Sequence, residues 1–275
     1  MNNSETFTLK TIKKLGVMSC LLASTTASFG AQTQEKPTLV FVHGAHFTAS
    51  SWQQVQTELK DTYPSVAVNL PGRNDKIIPN QVSMELSAGS LCQSLGQISG
   101  DKVLVAHSQG GAIVNAALNI CPKENIEKIV YVTSVAPLDG EDVFAKLSKA
   151  DEEHYFQGIR FNEQMELLEI SDSEKFANNF AQDASGEQRK WLINSAVAEP
   201  APVGGSKIKL NQQRFDDIEK HYVFAKRDQI ISIESQNKIA DSLKLKSTFT
   251  INSGHLPMLT QSKELANILV QVSSN

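Results

Sequence analysis

The 275-residue chain has little that would tie it to nucleic acid, to metal or to a bilayer. Its 26 Lys and Arg are outnumbered by 30 Asp and Glu, for a formal net charge of −4. No basic excess is left to displace counterions from phosphates, so nucleic acid is not an expected partner. Cysteine occurs three times, and neither CxxC nor HExxH is present. That argues against a disulfide scaffold and against the common zinc patterns, so no metal and no cofactor are expected. Beyond the first thirty residues no apolar run reaches the roughly 18 residues of a membrane span. There are no internal repeats, and a 40% hydrophobic content is too high for a disordered chain.

What is present begins with an address. Lys10, Lys13 and Lys14 precede an apolar stretch over 15–29, and small residues follow at 28–31. This is the layout of a secretory signal peptide over residues 1–30, with cleavage after Gly30 or Ala31. It predicts export to the periplasm or out of the cell, with no stable membrane association after cleavage. Export would let Cys92 and Cys121 oxidise; a disulfide and a pair of buried thiols are both open readings.

From Pro37 onward short apolar runs alternate with helix-like segments. The runs at 38–42, 66–70, 103–106, 129–133, 222–225 and 248–251 read as strands. Helical spacing appears near 51–59, 82–98, 112–120, 185–197 and 265–272. Strands that alternate with helices, without hairpin signals, predict an α/β fold with a mostly parallel sheet flanked by helices. The alternation lapses over 139–182, which holds 11 Asp and Glu, 4 Lys and Arg, and five of the 12 Phe. We read this as a helical lid inserted between two parts of one core, 37–138 and 183–275. Its aromatics Phe144, Phe156, Phe161, Phe176 and Phe180 are expected to face inward and its acids outward.

The chemistry concentrates at three strand ends. Ala106-His107-Ser108-Gln109-Gly110 joins a strand to a helix and has the form of a nucleophile elbow, where the positions two residues either side of the nucleophile must be small. A serine needs a base, and the base needs an orienting acid. Asp228 follows the strand at 222–225, and His255 follows the strand at 248–251. Open parallel sheets place their sites at those carboxyl ends. Asp216 and Asp217 precede their strand instead and are weaker candidates. An oxyanion needs backbone donors, for which the N–H groups of Gln109 and Ala45 are the candidates, the latter in His43-Gly44-Ala45 after the first strand. Phe144, Phe156, Phe161 and Leu256 are the candidate contacts for an apolar substrate group.

These pieces resemble the α/β-hydrolase superfamily. The resemblance covers about 38–272 and rests on Phe41-Val42-His43-Gly44-Ala45, Asn69-Leu70-Pro71-Gly72, the elbow at Ser108, the stretch Ala136-Pro137-Leu138-Asp139-Gly140-Glu141, Asp228, and Gly254-His255. It is strongest with the small-lid branch of bacterial esterases, plant methyl esterases and hydroxynitrile lyases. The lyases carry Thr after the first-loop His and Lys after the catalytic His. Gly44 and Leu256 stand there in this chain, so the resemblance implies an esterase. The expected activity is hydrolysis of small to medium neutral carboxylic esters through an acyl-enzyme. Lactone or carbon–carbon bond hydrolysis on the same triad, and a non-catalytic binding protein, are the alternatives. Oligomeric state is not readable from the sequence.

Overall fold

The computed structural model describes residues 35–73, 76–121 and 124–274; the signal-peptide reading falls outside them. Nine strands are described. They are β1 (Thr38–Val42), β2 (Ser65–Val68), β3 (Lys102–Ser108), β4 (Ile126–Ser134), β5 (Ile159–Asn162), β6 (Leu167–Ile170), β7 (Glu199–Pro200), β8 (Glu219–Ala225) and β9 (Ser247–Ile251). The helices are α1 (Gln53–Leu59), α2 (Met84–Leu95), α3 (Gly110–Ile120), α4 (Lys149–Tyr155), α5 (Ser173–Phe180), α6 (Gly186–Ser195), α7 (Ala201–Gly204), α8 (Gln212–Asp217), α9 (Ile233–Asp241), α10 (Pro257–Thr260) and α11 (Ser262–Ser273).

Six strands form one parallel sheet in the order β2-β1-β3-β4-β8-β9. Every residue of the central strand β3 is buried, whereas residues of the edge strand β9 alternate in exposure. A strand covered by helices on both faces needs a continuous apolar run, and an edge strand does not. The order reverses between β1 and β3, so the loops that leave these two neighbouring strands diverge and open a crevice. That crevice is where the first-strand loop and the elbow meet. Cys92 of α2 and Cys121 after α3 form a disulfide, with Cα atoms 5.5 Å apart, which selects between the two readings left open above.

The insertion departs from expectation in two ways. It is not wholly helical: β5, β6 and β7 form an antiparallel sheet. Nor does it stop at 182. Strand β7 pairs with β6, and the insertion closes where the Gly140 N–H donates to Ile208 O (2.8 Å) and the Ile208 N–H to Glu141 O (2.9 Å). The helix expected over 185–197 exists as α6, but it packs with α5 in the insertion rather than resuming the core alternation. An amphipathic helix looks the same in either layer, so its pattern could not tell them apart. Asp151 ties the insertion to the core. Its buried carboxylate accepts from the Ser148 and Ser232 N–H groups (2.9 Å each) and from Ser235 Oγ (2.5 Å).

Candidate active site

Ser108 ends β3 with φ 53°, a left-handed conformation that a non-glycine residue adopts only when its surroundings enforce it. The enforcement is visible in the packing. A Cβ on Gly44 would lie 2.6 Å from Ser108 Cβ, and one on Gly110 would lie 2.7 Å from the carbonyl oxygens of Val42 and His43. At Gly111 the space is tighter still: a Cβ would sit 2.1 Å from Val135 O. Of Gly110 and Gly111, only Gly110 holds a position that the elbow pattern restricts. The smallest departure from glycine, Ala106, is fully buried in β3.

The three strand-end residues converge. Ser108 Oγ is 3.0 Å from His255 Nε2, and His255 Nδ1 is 2.7 Å from Asp228 Oδ2. His255 is fully buried and Asp228 almost so. The second carboxylate oxygen, Oδ1, accepts from the N–H groups of Ile230 (2.7 Å) and Ile231 (2.9 Å). The hydroxyl of Thr133, at the end of β4, also donates to Oδ2. Thr133 was not singled out from the sequence, where it is one more β-branched residue in an apolar strand. Its φ of 35° marks it as held in place.

His107 points to the other face of the sheet, as its place beside the nucleophile in a strand requires. There it donates Nε2–H to the carbonyl of His255 (2.8 Å) and so props the histidine loop from behind. Burial keeps its imidazole neutral, and the neighbouring His255 adds to the effect. The same loop is fixed from above, where the Gly254 N–H donates to Asp183 Oδ2 (3.1 Å).

A cavity of about 500 Å³ opens over Ser108. Ala45 and Gln109 line it beside the serine, and among the described residues no protein acceptor takes the N–H of either. Phe144 and Phe156 line it, together with Leu147, Tyr155, Leu168, Ile230 and Ile231. Phe161 and Leu256 do not. Phe161 sits on β5, half exposed, and Leu256 is packed in the core where the chain turns into α10. The inward-facing rule for the five phenylalanines also fails in part. Phe176 and Phe180 are buried and stacked with centroids 4.2 Å apart, but Phe144 and Phe156 are about 40% exposed, which suits walls of an open cavity. Among the described residues no group of His, Cys, Asp and Glu is placed to hold a metal ion.

Comparison with known proteins bears on the family and the fold. The profile of the alpha/beta hydrolase family matches residues 39–268. An Arabidopsis thaliana protein named "Putative methylesterase 12, chloroplastic" is 27% identical over 255 residues, which is 85% of this chain and 71% of that protein. A pyrethroid hydrolase from Sphingobium faniae superposes with a TM-score of 0.76 at 19% identity, covering 86% of this chain and 97% of the other. An extracellular alpha/beta-hydrolase from a Paenibacillus species superposes with a TM-score of 0.75 at 23% identity, covering 86% and 98%. The last two establish a shared fold.

Proposed function

Since this chain belongs to the alpha/beta hydrolase family, we propose that it is an exported serine carboxylesterase acting on small to medium neutral esters. The observation that carries the reading is the hydrogen-bonded chain from Ser108 Oγ through His255 to Asp228 at the floor of an apolar cavity. Asp228 accepts Nδ1–H and so fixes the tautomer whose Nε2 lone pair faces the serine. His255 takes the Ser108 proton as Oγ attacks the ester carbonyl. The negative charge that develops on the carbonyl oxygen is met by the free N–H groups of Ala45 and Gln109. His255 then protonates the departing alcohol. Water repeats the sequence on the acyl-enzyme and releases the carboxylic acid. None of these steps calls for a metal or cofactor.

The cavity and its surroundings support this substrate class. Phe144, Phe156, Leu147, Leu168 and Ile230 offer apolar contact, and the acids of the insertion outnumber its bases. Both favour a neutral ester over an anionic one. The matches to a methylesterase and a pyrethroid hydrolase support ester cleavage. Export rests on the residues before 31, and N-terminal sequencing of protein from the periplasm or medium tests it; an intact Met1 there contradicts cleavage.

A p-nitrophenyl ester series of rising acyl length, run with the wild-type protein and Ser108→Ala, tests the activity. The reading predicts saturable turnover that disappears in the variant. Turnover that survives in Ser108→Ala overturns it.

A further inference from the structure

We propose that the insertion is part of the oxyanion apparatus: Tyr155, Val197 and Glu199 clasp His46 and, together with Arg73, set the positions of the Ala45 and Gln109 amides. The inference rests on the serine esterase reading and assigns positioning residues to it.

His46 follows Ala45 directly and takes φ 67°, left-handed and unfavourable for a residue with a side chain. All of its hydrogen-bonding groups go to the insertion. Its N–H donates to Glu199 Oε2 (3.2 Å), and its carbonyl accepts from the Val197 N–H (3.0 Å). Its Nδ1 lies 2.9 Å from Val197 O, which can only accept, so Nδ1 carries the proton. Nε2 then accepts from the Tyr155 hydroxyl at 2.7 Å. The imidazole is fully buried and burial keeps it neutral, which suits this arrangement.

Glu199 reaches the second donor as well. Its Oε1 accepts from the side-chain Nε2 of Gln109 (2.7 Å), and the guanidinium of Arg73 binds both carboxylate oxygens, with Nε 2.8 Å from Oε2. Arg73 also donates to Pro71 O (2.9 Å), which fixes the loop after β2. One fully buried carboxylate therefore touches both chain segments whose amides face the cavity. A buried ion pair is a poor way to gain stability, because desolvating two charges offsets much of their attraction. A device that ties two chain segments to one carboxylate has another use. Donor placement governs how well an oxyanion is held. Tyr155 also lines the cavity, so a bound substrate lies against one end of the clasp.

Three variants test this by kcat, KM and inhibitor affinity on a p-nitrophenyl ester. Glu199→Gln leaves Arg73 buried without its counterion and is the variant most exposed to misfolding. The double change Arg73→Met with Glu199→Met removes both charges at similar volume. Gln109→Met keeps the backbone N–H and cuts only the side-chain tether. In the folded variants kcat should fall by about 10- to 100-fold. KM should stay within about threefold, as expected when transition-state interactions alone are lost. Affinity for a boronic acid, which forms a tetrahedral adduct on serine, should fall with kcat. Affinity for the carboxylic acid product should not. Folded variants that keep kcat within about twofold of wild type, or that lose boronate and product affinity together, overturn the clasp. Wild-type turnover that survives Ser108→Ala overturns the serine reading instead, and the clasp with it.

Discussion

At the rim of the sheet every chemical group stands at or just past a strand end. Ser108 closes β3, Asp228 follows β8 by three residues, and His255 follows β9 by four. In the insertion the groups that reach the same cavity have no such address. Tyr155 ends a seven-residue helix, Val197 lies in a connecting segment, and Glu199 begins a strand of two residues. The rim is built by long-range parallel pairing of apolar runs; the insertion has its own small antiparallel sheet, and side-chain hydrogen bonds from Asp151, Glu199 and Tyr155 tie it to the core and the site. Topology dictates where the rim groups go. The insertion groups are placed one contact at a time.

Substitutions at the rim should have the largest effects. Ser108→Ala should cut kcat by about 10⁴-fold or more, because the reacting groups act as a unit. Steady-state turnover of a p-nitrophenyl ester measures it, and a loss of under about tenfold would remove Ser108 from the reaction. Asp228→Asn should cost about 10³- to 10⁴-fold in kcat by favouring the wrong imidazole tautomer. Near-normal turnover in that variant would mean another group orients His255.

Packing at the rim can be tested without any substrate. Gly111→Ala places a methyl 2.1 Å from Val135 O and 2.3 Å from Ser134 Oγ, between the first turn of α3 and the end of β4. Destabilisation of about 3 kcal/mol or more is expected from overpacking of this severity. Gly89→Ala, in α2 with open space around the new methyl, should instead stabilise by roughly 0.5–1 kcal/mol. Urea titration of the two variants reads both signs, and equal effects would contradict the packing described.

Acid should unfold the protein through its buried histidines. Burial, with Arg73 adding to it, pushes His43 down to about 3, and burial lowers His46 and His107 as well. Each binds its proton more readily in the unfolded chain, where the reference value is about 6.5. Stability is then full above about pH 6.5 and drains away as pH falls toward the folded values. Thermal melts followed by circular dichroism from pH 7.5 down to 4 should show Tm falling throughout the lower part of that range (roughly the window between the two values); a flat Tm would show that these rings are not held neutral.

The insertion should answer more mildly. Phe156→Ala enlarges the cavity without touching the serine, so KM for an aryl ester should rise several-fold while kcat changes little, about the worth of lost uniform binding. A fall in kcat with KM unchanged would place Phe156 nearer the reacting atoms than the cavity wall.

The difference between the regions is also a difference in legibility. Strands β1, β3 and β4 could be read because burial on both faces demands uninterrupted apolar runs, and the elbow could be read because its turn tolerates so few residues. The hairpin of β5 and β6 could not. Its turn carries Glu166 at φ 48° with no Asn-Gly or Asp-Gly, and Phe161 stands exposed on its face, so neither turn chemistry nor alternation signalled it. Gly111 escaped notice because its constraint comes from Val135 O, a contact across β4 that no local pattern encodes. Thr133, Arg73 and Glu199 escaped for the same reason: each acquires its role from a partner far away in the chain. Leu256 was misjudged because adjacency to His255 in sequence says nothing about which way the chain turns next.

Covalent labelling with a fluorophosphonate, read by intact mass and peptide mapping, probes the Ser108 nucleophile itself. We expect one adduct per chain, on Ser108, formed in the wild-type protein and absent once Asp228 or His255 is replaced by alanine. An adduct on a different serine, or an unlabelled Ser108 in protein that still turns over esters, would contradict that role.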